Sequence, residues 1–177
     1  MDQRLACASR DDRRRLLLGL VGGTLLQALP ARALQAPGGR VELRVAGKVG
    51  KPNRGAEAVF DMAMLGALPQ RTISAKVPWY PTPRRFTGPL LRDVLAAAGA
   101  SGSSIRSEAV NDYHADAPFE DSQRFDVVVA RLLDDKPMSV REKGLLAIMY
   151  PFADHPDIAN AVYFDRCTWQ LKVLRVS

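Results

Sequence analysis

The strongest constraint on the fold is that one segment has a clear helical pattern, whereas most other apolar segments are short and strand-like. From Leu90 to Ala98 apolar residues recur at the spacing of one helix face, and Gly99 is suited to end the helix. Residues 41–45 and 71–77 instead alternate apolar and polar side chains, the period of a strand. Because strands and helices do not alternate regularly, the pattern predicts an α+β domain with a mixed β-sheet and short helices.

The remaining apolar segments predict a total of six or seven strands and several helical turns. Residues 125–133 contain three consecutive valines, which is typical of a strand buried on both faces. The other predicted strands are residues 105–110, 145–150 and 168–176, and the other helical segments are residues 61–68, 118–124 and 157–162.

The first 33 residues are typical of an export signal. Three arginines at positions 13–15 precede an apolar run that ends at Leu29, and Ala31-Arg32-Ala33 fits a signal-peptidase site. The run is shorter than the roughly 20 residues that a membrane-spanning helix needs, although an uncleaved anchor is the alternative. The arginines also fit the twin-arginine export pattern, so the export route stays open. We therefore predict a signal peptide over residues 1–33, a leader over 34–40, one domain over 41–177, and a periplasmic location.

Charge and cysteine content exclude two classes of protein. Of 25 basic and 19 acidic residues, residues 1–33 hold six and three, so the rest has 19 against 16 and a net charge of +3. That charge is small and scattered, and we expect no nucleic-acid partner. Cys7 would be lost with the signal, and Cys167 by itself forms neither an internal disulfide nor a zinc site. We expect Cys167 to be buried and inert.

Short catalytic motifs are absent from the sequence. It contains no dinucleotide-binding or phosphate-binding glycine motif, no nucleophile elbow and no zinc-protease helix motif. The two histidines, His114 and His155, lie in no sequence context typical of a catalytic triad. The residues alone therefore indicate an exported α+β domain and assign it no reaction.

Four segments together carry a resemblance to a known family. They are residues 86–99 (FTGPLLRDVLAAAG), 109–113 (AVNDY), 135–144 (DKPMSVREKG) and 148–152 (IMYPF). In this order and spacing they resemble the molybdopterin-binding domain of the sulfite oxidase superfamily, in a short periplasmic form. The resemblance extends over about residues 41–177 and implies the sulfite oxidase-like fold, with a pocket for a pterin or molybdopterin.

One departure from the family changes the expected function. Catalytic members carry a molybdenum-binding cysteine four residues before a tryptophan that corresponds to Trp79, and this chain has Ala75 there. Alanine offers no thiolate ligand, so we expect no bound metal and no catalytic residue. The chain looks more like short, cysteine-less relatives that bind a pterin and act with the periplasmic domain of a membrane signalling protein. A molybdenum oxidoreductase and a structural or interaction domain without ligand are the alternatives.

The predicted pterin-binding residues are Trp79, Asn111, Asp112, Tyr113, Arg141 and Lys143. Trp79 lies on a proline-stiffened loop and would stack on the pterin. The alternative is that Trp79 lies at the rim of the core and covers it. Asn111 and Asp112 would bind the polar edge of the ring, although such pairs more commonly form turns. Arg141 and Lys143 match the basic loop that faces the cofactor in the family, and a solvated charge pair is the alternative.

Overall fold

The computed structural model describes residues 34–139 and 143–177, and short strands are more frequent than helices within them. The α+β class predicted from the sequence is confirmed. The strands in these ranges are β1 (Val41–Gly47), β2 (Ala58–Asp61), β3 (Gln70–Ala75), β4 (Arg84–Pro89), β5 (Ser104–Ala109), β6 (His114–Pro118), β7 (Val128–Ala130), β8 (Leu132–Leu133), β9 (Lys136–Pro137), β10 (Ala147–Met149) and β11 (Leu171–Val176).

The helices are short, and the longest is the one that the sequence predicts most clearly. Its four apolar residues at helical spacing, Leu91, Val94, Leu95 and Ala98, are all buried, and Gly99 ends it at φ 61°. In the described ranges, none of the helices has the length and apolar character needed to span a membrane. The helices are α1 (Met62–Ala67), α2 (Leu91–Ala98), α3 (Asp121–Arg124) and α4 (Ala161–Arg166), with a 3₁₀ helix at Pro156–Ile158.

The largest sheet has five strands in the order β2-β1-β11-β5-β6. β1 and β11 are parallel and all other pairs are antiparallel, so the sheet is mixed, as predicted. One face of this sheet supplies Leu43, Val45 and Leu174 to the core. The opposite face carries charged side chains such as Arg44, Arg106 and Arg175, which is the alternation expected of a half-buried sheet.

Two smaller sheets complete the fold. A four-stranded sheet has the order β3-β4-β8-β9, and β10 pairs with β7. Gly88 in β4 lies so close to β7 that a Cβ atom there would be 1.9 Å from the carbonyl oxygen of Val129. The close contact explains why the residue is glycine, since any side chain would separate these strands. Val127, Val128 and Val129 are buried, as three consecutive valines predict.

Several predicted boundaries are wrong because tertiary pairing overrides local sequence preference. Residues 86–89, for which the sequence predicts no strand, form most of β4, which pairs with β3 through Ile73 opposite Phe86. β6 contains few residues that favour strands, yet it pairs with β5 along its whole length. The helix predicted over residues 157–162 begins later, at Ala161, where the Asn160 side chain accepts a hydrogen bond from the Val162 amide.

The predicted leader lies against the domain. The Gly39 amide donates a hydrogen bond of 2.8 Å to the Asp61 carboxylate, and the Asn53 side chain donates one of 2.7 Å to the carbonyl of Gln35. Asp61 also accepts a hydrogen bond from the Met64 amide and so caps α1, at the start of the helical segment predicted over residues 61–68. The predicted signal peptide, residues 1–33, lies outside the described residues.

Candidate functional site

Trp79 lies at the tip of the loop between β3 and β4. The loop is stiffened by prolines at positions 78, 81 and 83, and the Tyr80 amide donates a hydrogen bond to the carbonyl of Val77. The Trp79 side chain is 36% exposed, which is high for a tryptophan. Its ring meets Trp169 edge to face, with centroids 5.5 Å apart, and meets Phe164 at 6.4 Å. These contacts hold the ring in place, and about a third of Trp79 remains exposed to a ligand.

Trp79 belongs to an aromatic cluster, which we define as Trp79, Tyr80, Phe86, Phe164 and Trp169. Trp169 lies at its centre, with ring centroids 6.0 Å from both Tyr80 and Phe86. The cluster joins four segments that are distant in sequence: the β3–β4 loop, β4, α4 and the residues before β11. The indole nitrogen of Trp169 is buried and has no hydrogen-bond partner among the described residues. Buried donors are usually satisfied, so this nitrogen is an exception among the described residues.

Lys143 adds a positive charge to the aromatic cluster. Its ammonium lies 5.0 Å from the ring centroid of Trp169, 5.7 Å from that of Tyr80 and 5.9 Å from that of Trp79. These distances are typical of cation–π contacts. The Lys143 carbonyl also accepts a hydrogen bond from the Gln170 amide, which ties its loop to the start of β11. The structure therefore brings two of the predicted residues, Trp79 and Lys143, together.

An apolar cleft of about 470 Å³ lies beside the aromatic cluster. Tyr80 and Phe164 belong both to the cluster and to the wall of the cleft. Its volume is in the range of small-molecule sites, roughly 300–1,000 Å³. The other lining residues are Ser74, Lys76, Val77, Pro78, Pro83, Phe152, Ala153, Pro156 and Ala159.

Asn111, Asp112 and Tyr113 form the tight turn between β5 and β6. Asn111 accepts a hydrogen bond of 3.4 Å from the Tyr113 amide, and Asp112 has a left-handed backbone with φ 64°. The Tyr113 hydroxyl donates a hydrogen bond of 2.6 Å to the carbonyl of Asp165, and burial raises the pKa of this hydroxyl. The Asx turn, which is the alternative to pterin binding for Asn111 and Asp112, is thus present. The Tyr113 hydroxyl connects this turn to α4.

Asp112 lines a cleft other than the apolar one. This second cleft, of about 330 Å³, lies on the charged face of the five-stranded sheet and is lined by Arg44, Arg106, Lys172 and Arg175 among others. A hydrogen bond of 3.0 Å from the Val110 amide to the Gln170 carbonyl links the turn to the residue next to Trp169. The role of Asn111, Asp112 and Tyr113 in pterin binding stays a prediction. Arg141 lies outside the described residues.

The position of the family's metal ligand offers no donor. Ala75 is fully buried at the end of β3. The Cys167 thiol is 2% exposed and donates a hydrogen bond to the carbonyl of Tyr163, and burial raises its pKa to about 12. Such a thiol stays protonated at neutral pH and is a poor metal ligand. The described residues therefore do not fit a molybdenum thiolate site.

Sequence reasoning missed part of the site. The sequence places Trp169 in the strand predicted over residues 168–176, whereas the structure places its ring at the centre of the cluster. Phe164 was not predicted as a site residue, because the helix was predicted over residues 157–162 and α4 extends to Arg166. The adjacent aromatic residues Tyr163 and Phe164 were the available signal in the sequence. Arg84 and Arg85 lie at the start of β4. They form ion pairs with Asp134 and Asp135, and the Arg84 guanidinium also lies 4.8 Å from the ring centroid of Tyr80.

Comparison with known proteins shows a likeness in fold. No protein-family model matches the sequence, and no curated protein matches it. Among solved structures, the sulfane dehydrogenase SoxCD from Paracoccus pantotrophus is similar, with a TM-score of 0.58 and 17% sequence identity. The match covers 77% of this chain and 38% of the SoxCD chain, so this chain spans less than two fifths of that neighbour's length. At this identity the likeness concerns the fold alone, and it is consistent with the α+β architecture described above.

Proposed function

We propose that this protein binds a pterin at the aromatic cluster and acts as a binding protein. The observation that carries the proposal is the exposed ring of Trp79, which lies beside Lys143 and next to an apolar cleft. A pterin is a flat heteroaromatic ring with donors and acceptors along its edges. A site for it needs an aromatic surface together with a few polar groups, and Trp79 and Lys143 provide both.

The polar group at the cluster favours a ligand whose ring contains oxygen and nitrogen atoms, as a pterin does, and disfavours a hydrocarbon ring. The Lys143 ammonium offers N–H donors to a ring oxygen. A hydrocarbon ring would cover these donors without giving them an acceptor, which costs free energy. Asp112 lines the second cleft and Asn111 belongs to the same β5–β6 turn, so neither residue is placed at the aromatic cluster in this proposal.

Binding without metal chemistry is favoured by Ala75 and Cys167. Oxo transfer of the sulfite oxidase type requires a thiolate on molybdenum, and neither residue supplies one. The second candidate is a molybdenum-dependent oxidoreductase, favoured by the likeness in fold to a dehydrogenase. Elemental analysis of protein purified from its own cell compartment separates the two, because about one molybdenum per chain would contradict the binding proposal.

The cellular part of the proposal rests on residues 1–33 and on the family resemblance. Residues 1–33 export the protein to the periplasm, where pterin occupancy changes its binding to the periplasmic domain of a membrane signalling protein. Mass spectrometry of the exported protein should show a chain that begins at Leu34. Retention of residues 1–33 would indicate a membrane anchor instead.

Calorimetric titration of the purified protein with pterin and with 6-hydroxymethylpterin tests the binding proposal directly. We expect saturable binding with one ligand per chain. A folded protein that binds neither compound would contradict the proposal and favour the structural or interaction role.

A further inference from the structure

The apolar cleft has a wall suited to a second ring. Three prolines, at positions 78, 83 and 156, and the side chains of Tyr80, Phe152 and Phe164 line it. Flat, rigid side chains of this kind favour aromatic ligands over flexible polar ones. A hydroxylated substituent would lose its hydrogen bonds to water against such a wall, which disfavours the short polar tails that many pterins carry.

The cleft borders the proposed stacking surface through two shared residues. Phe164 lines the cleft and its ring centroid is 6.4 Å from that of Trp79. Tyr80 lines the cleft and its ring centroid is 6.0 Å from that of Trp169. A substituent on a pterin stacked against Trp79 would reach the cleft across these two residues.

The charge in the cleft has one sign. Among the described residues that line it, Lys76 is the charged one, and Ser74 adds a hydroxyl on the same strand segment. Lys76 is exposed, so its ammonium remains in water while its aliphatic stem lies along the apolar wall. An anionic group at the far end of a substituent would be attracted to this lysine.

From these observations we infer that the ligand is a pterin with an aryl substituent that ends in a carboxylate, the class to which pteroate belongs. The inference rests on the proposed function, because it extends the pterin site from Trp79 into the neighbouring cleft. The pterin ring lies on Trp79 with its polar edge at Lys143, the aryl ring fills the cleft between Tyr80 and Phe164, and the carboxylate meets Lys76.

Calorimetric titration of the full chain with pterin, 6-hydroxymethylpterin and pteroate tests the inference. We expect pteroate to bind at least tenfold more tightly than either smaller compound, because the cleft removes its aryl ring from water. Equal affinities for pterin and pteroate would overturn the inference and leave the proposed function intact. Failure of all three compounds to bind would overturn both.

Variants that fill the cleft supply a test that does not depend on comparing ligands alone. Ala153 is exposed and lines the cleft, so Ala153→Trp should block the aryl ring without disturbing the core. We expect this variant to lose the tenfold advantage of pteroate while keeping its affinity for pterin. Ala63→Trp on α1 is the matched control, since Ala63 is exposed and is not part of the cleft lining. An unchanged preference for pteroate in Ala153→Trp would contradict the inference.

The charge contribution is measured by Lys76→Gln. We expect the affinity for pteroate to fall about threefold, since an exposed ion pair contributes little, and the affinity for pterin to stay unchanged. Lys48→Gln is the matched control, because Lys48 is exposed and does not line the cleft. Its amide donates a hydrogen bond to the carbonyl of Val176, at the end of β11 that is farther in sequence from Trp169. Equal effects of Lys76→Gln on both ligands would assign the lysine to general electrostatics and contradict the proposed carboxylate contact.

Discussion

The indole rings of Trp79 and Trp169 meet edge to face, with centroids 5.5 Å apart and planes at 85°. Edge-to-face pairs of this kind are stabilised beyond the burial of their area. The two rings differ in accessibility, since Trp79 is 36% exposed whereas the Trp169 indole nitrogen is buried. Trp169 therefore holds Trp79 in place, and Trp79 presents the surface on which a ligand stacks.

Replacing Trp79 tests the stacking surface. Stacking of a flat heteroaromatic ring should contribute about 1–3 kcal/mol, so Trp79→Ala should weaken pterin binding roughly 5- to 150-fold. Trp79→Phe should keep part of the affinity. Because the side chain is partly exposed, thermal unfolding of Trp79→Ala should show a folded domain. Unfolding of this variant would make Trp79 a core residue, and unchanged affinity would place the pterin elsewhere.

Substitution of Gly88 tests the contact between β4 and β7. In Gly88→Ala the new Cβ would be 1.9 Å from the carbonyl oxygen of Val129, so the strands must separate. We expect a loss of about 3 kcal/mol in the free energy of unfolding, measured by urea denaturation. Gly38→Ala is the matched control, since no atom lies within 4 Å of the added Cβ there. Equal stability of the two variants would contradict the observed packing.

A buried polar network offers a third prediction. Asp121 accepts hydrogen bonds from the Tyr150 hydroxyl at 2.8 Å and from Arg166 at 2.7 Å, and burial raises the pKa of Tyr150 so that it stays a donor. Asp121→Asn leaves the Arg166 charge without its partner and should destabilise the domain by about 3 kcal/mol. Tyr150→Phe removes one hydrogen bond and should cost about 1 kcal/mol.

The double variant of the Asp121–Arg166 pair distinguishes a paired charge from simple packing. Adding Arg166→Met to Asp121→Asn removes the uncompensated charge, so the double variant should be more stable than Asp121→Asn by itself. Urea denaturation of the set gives the coupling energy between the two residues. Additive losses would show that the two groups do not interact in solution.

Asp61 predicts a pH dependence of stability. Hydrogen bonds from the amides of Met64 and Gly39 hold the pKa of its carboxyl below the ordinary value. The carboxylate therefore stabilises the folded state above the unfolded pKa near ~4, and this contribution is lost as the pH falls through the lower folded pKa. Asp61→Ala should be less stable than the native protein at pH 7, and the difference should shrink toward pH 2. Asp61→Asn, which also caps helices, should be affected less at pH 7.

Much of the local structure could be predicted because it depends on neighbouring residues. The helix face of α2, the capping of α1 by Asp61 and the burial of Val127, Val128 and Val129 all follow from periodicity and side-chain chemistry within a few positions. β4 and β6 were missed because they form through pairing with β3 and β5, and their own residues only weakly favour strands.

Only the local part of the candidate site could be predicted, because only that part depends on neighbouring residues. The prolines around Trp79 predicted a stiff loop after a strand, and Trp79 lies in the loop between β3 and β4. The partners of that ring could not be predicted, because Trp169 lies 90 positions away and meets Trp79 only after the β3–β4 loop and the start of β11 have packed together.

The α+β class, the clearest helix, the alternation of β1 and β3, and the alanine at position 75 are all contained in the order of the residues. Periodicity and residue type act over a few positions, so they are present before any packing occurs. Packing of distant segments, in contrast, places Lys143 near three aromatic rings, forms the apolar cleft beside the aromatic cluster, and buries Cys167 so that its pKa is raised. Contacts between distant segments and the loss of water around a group are properties of the packed chain, and the order of the residues does not contain them.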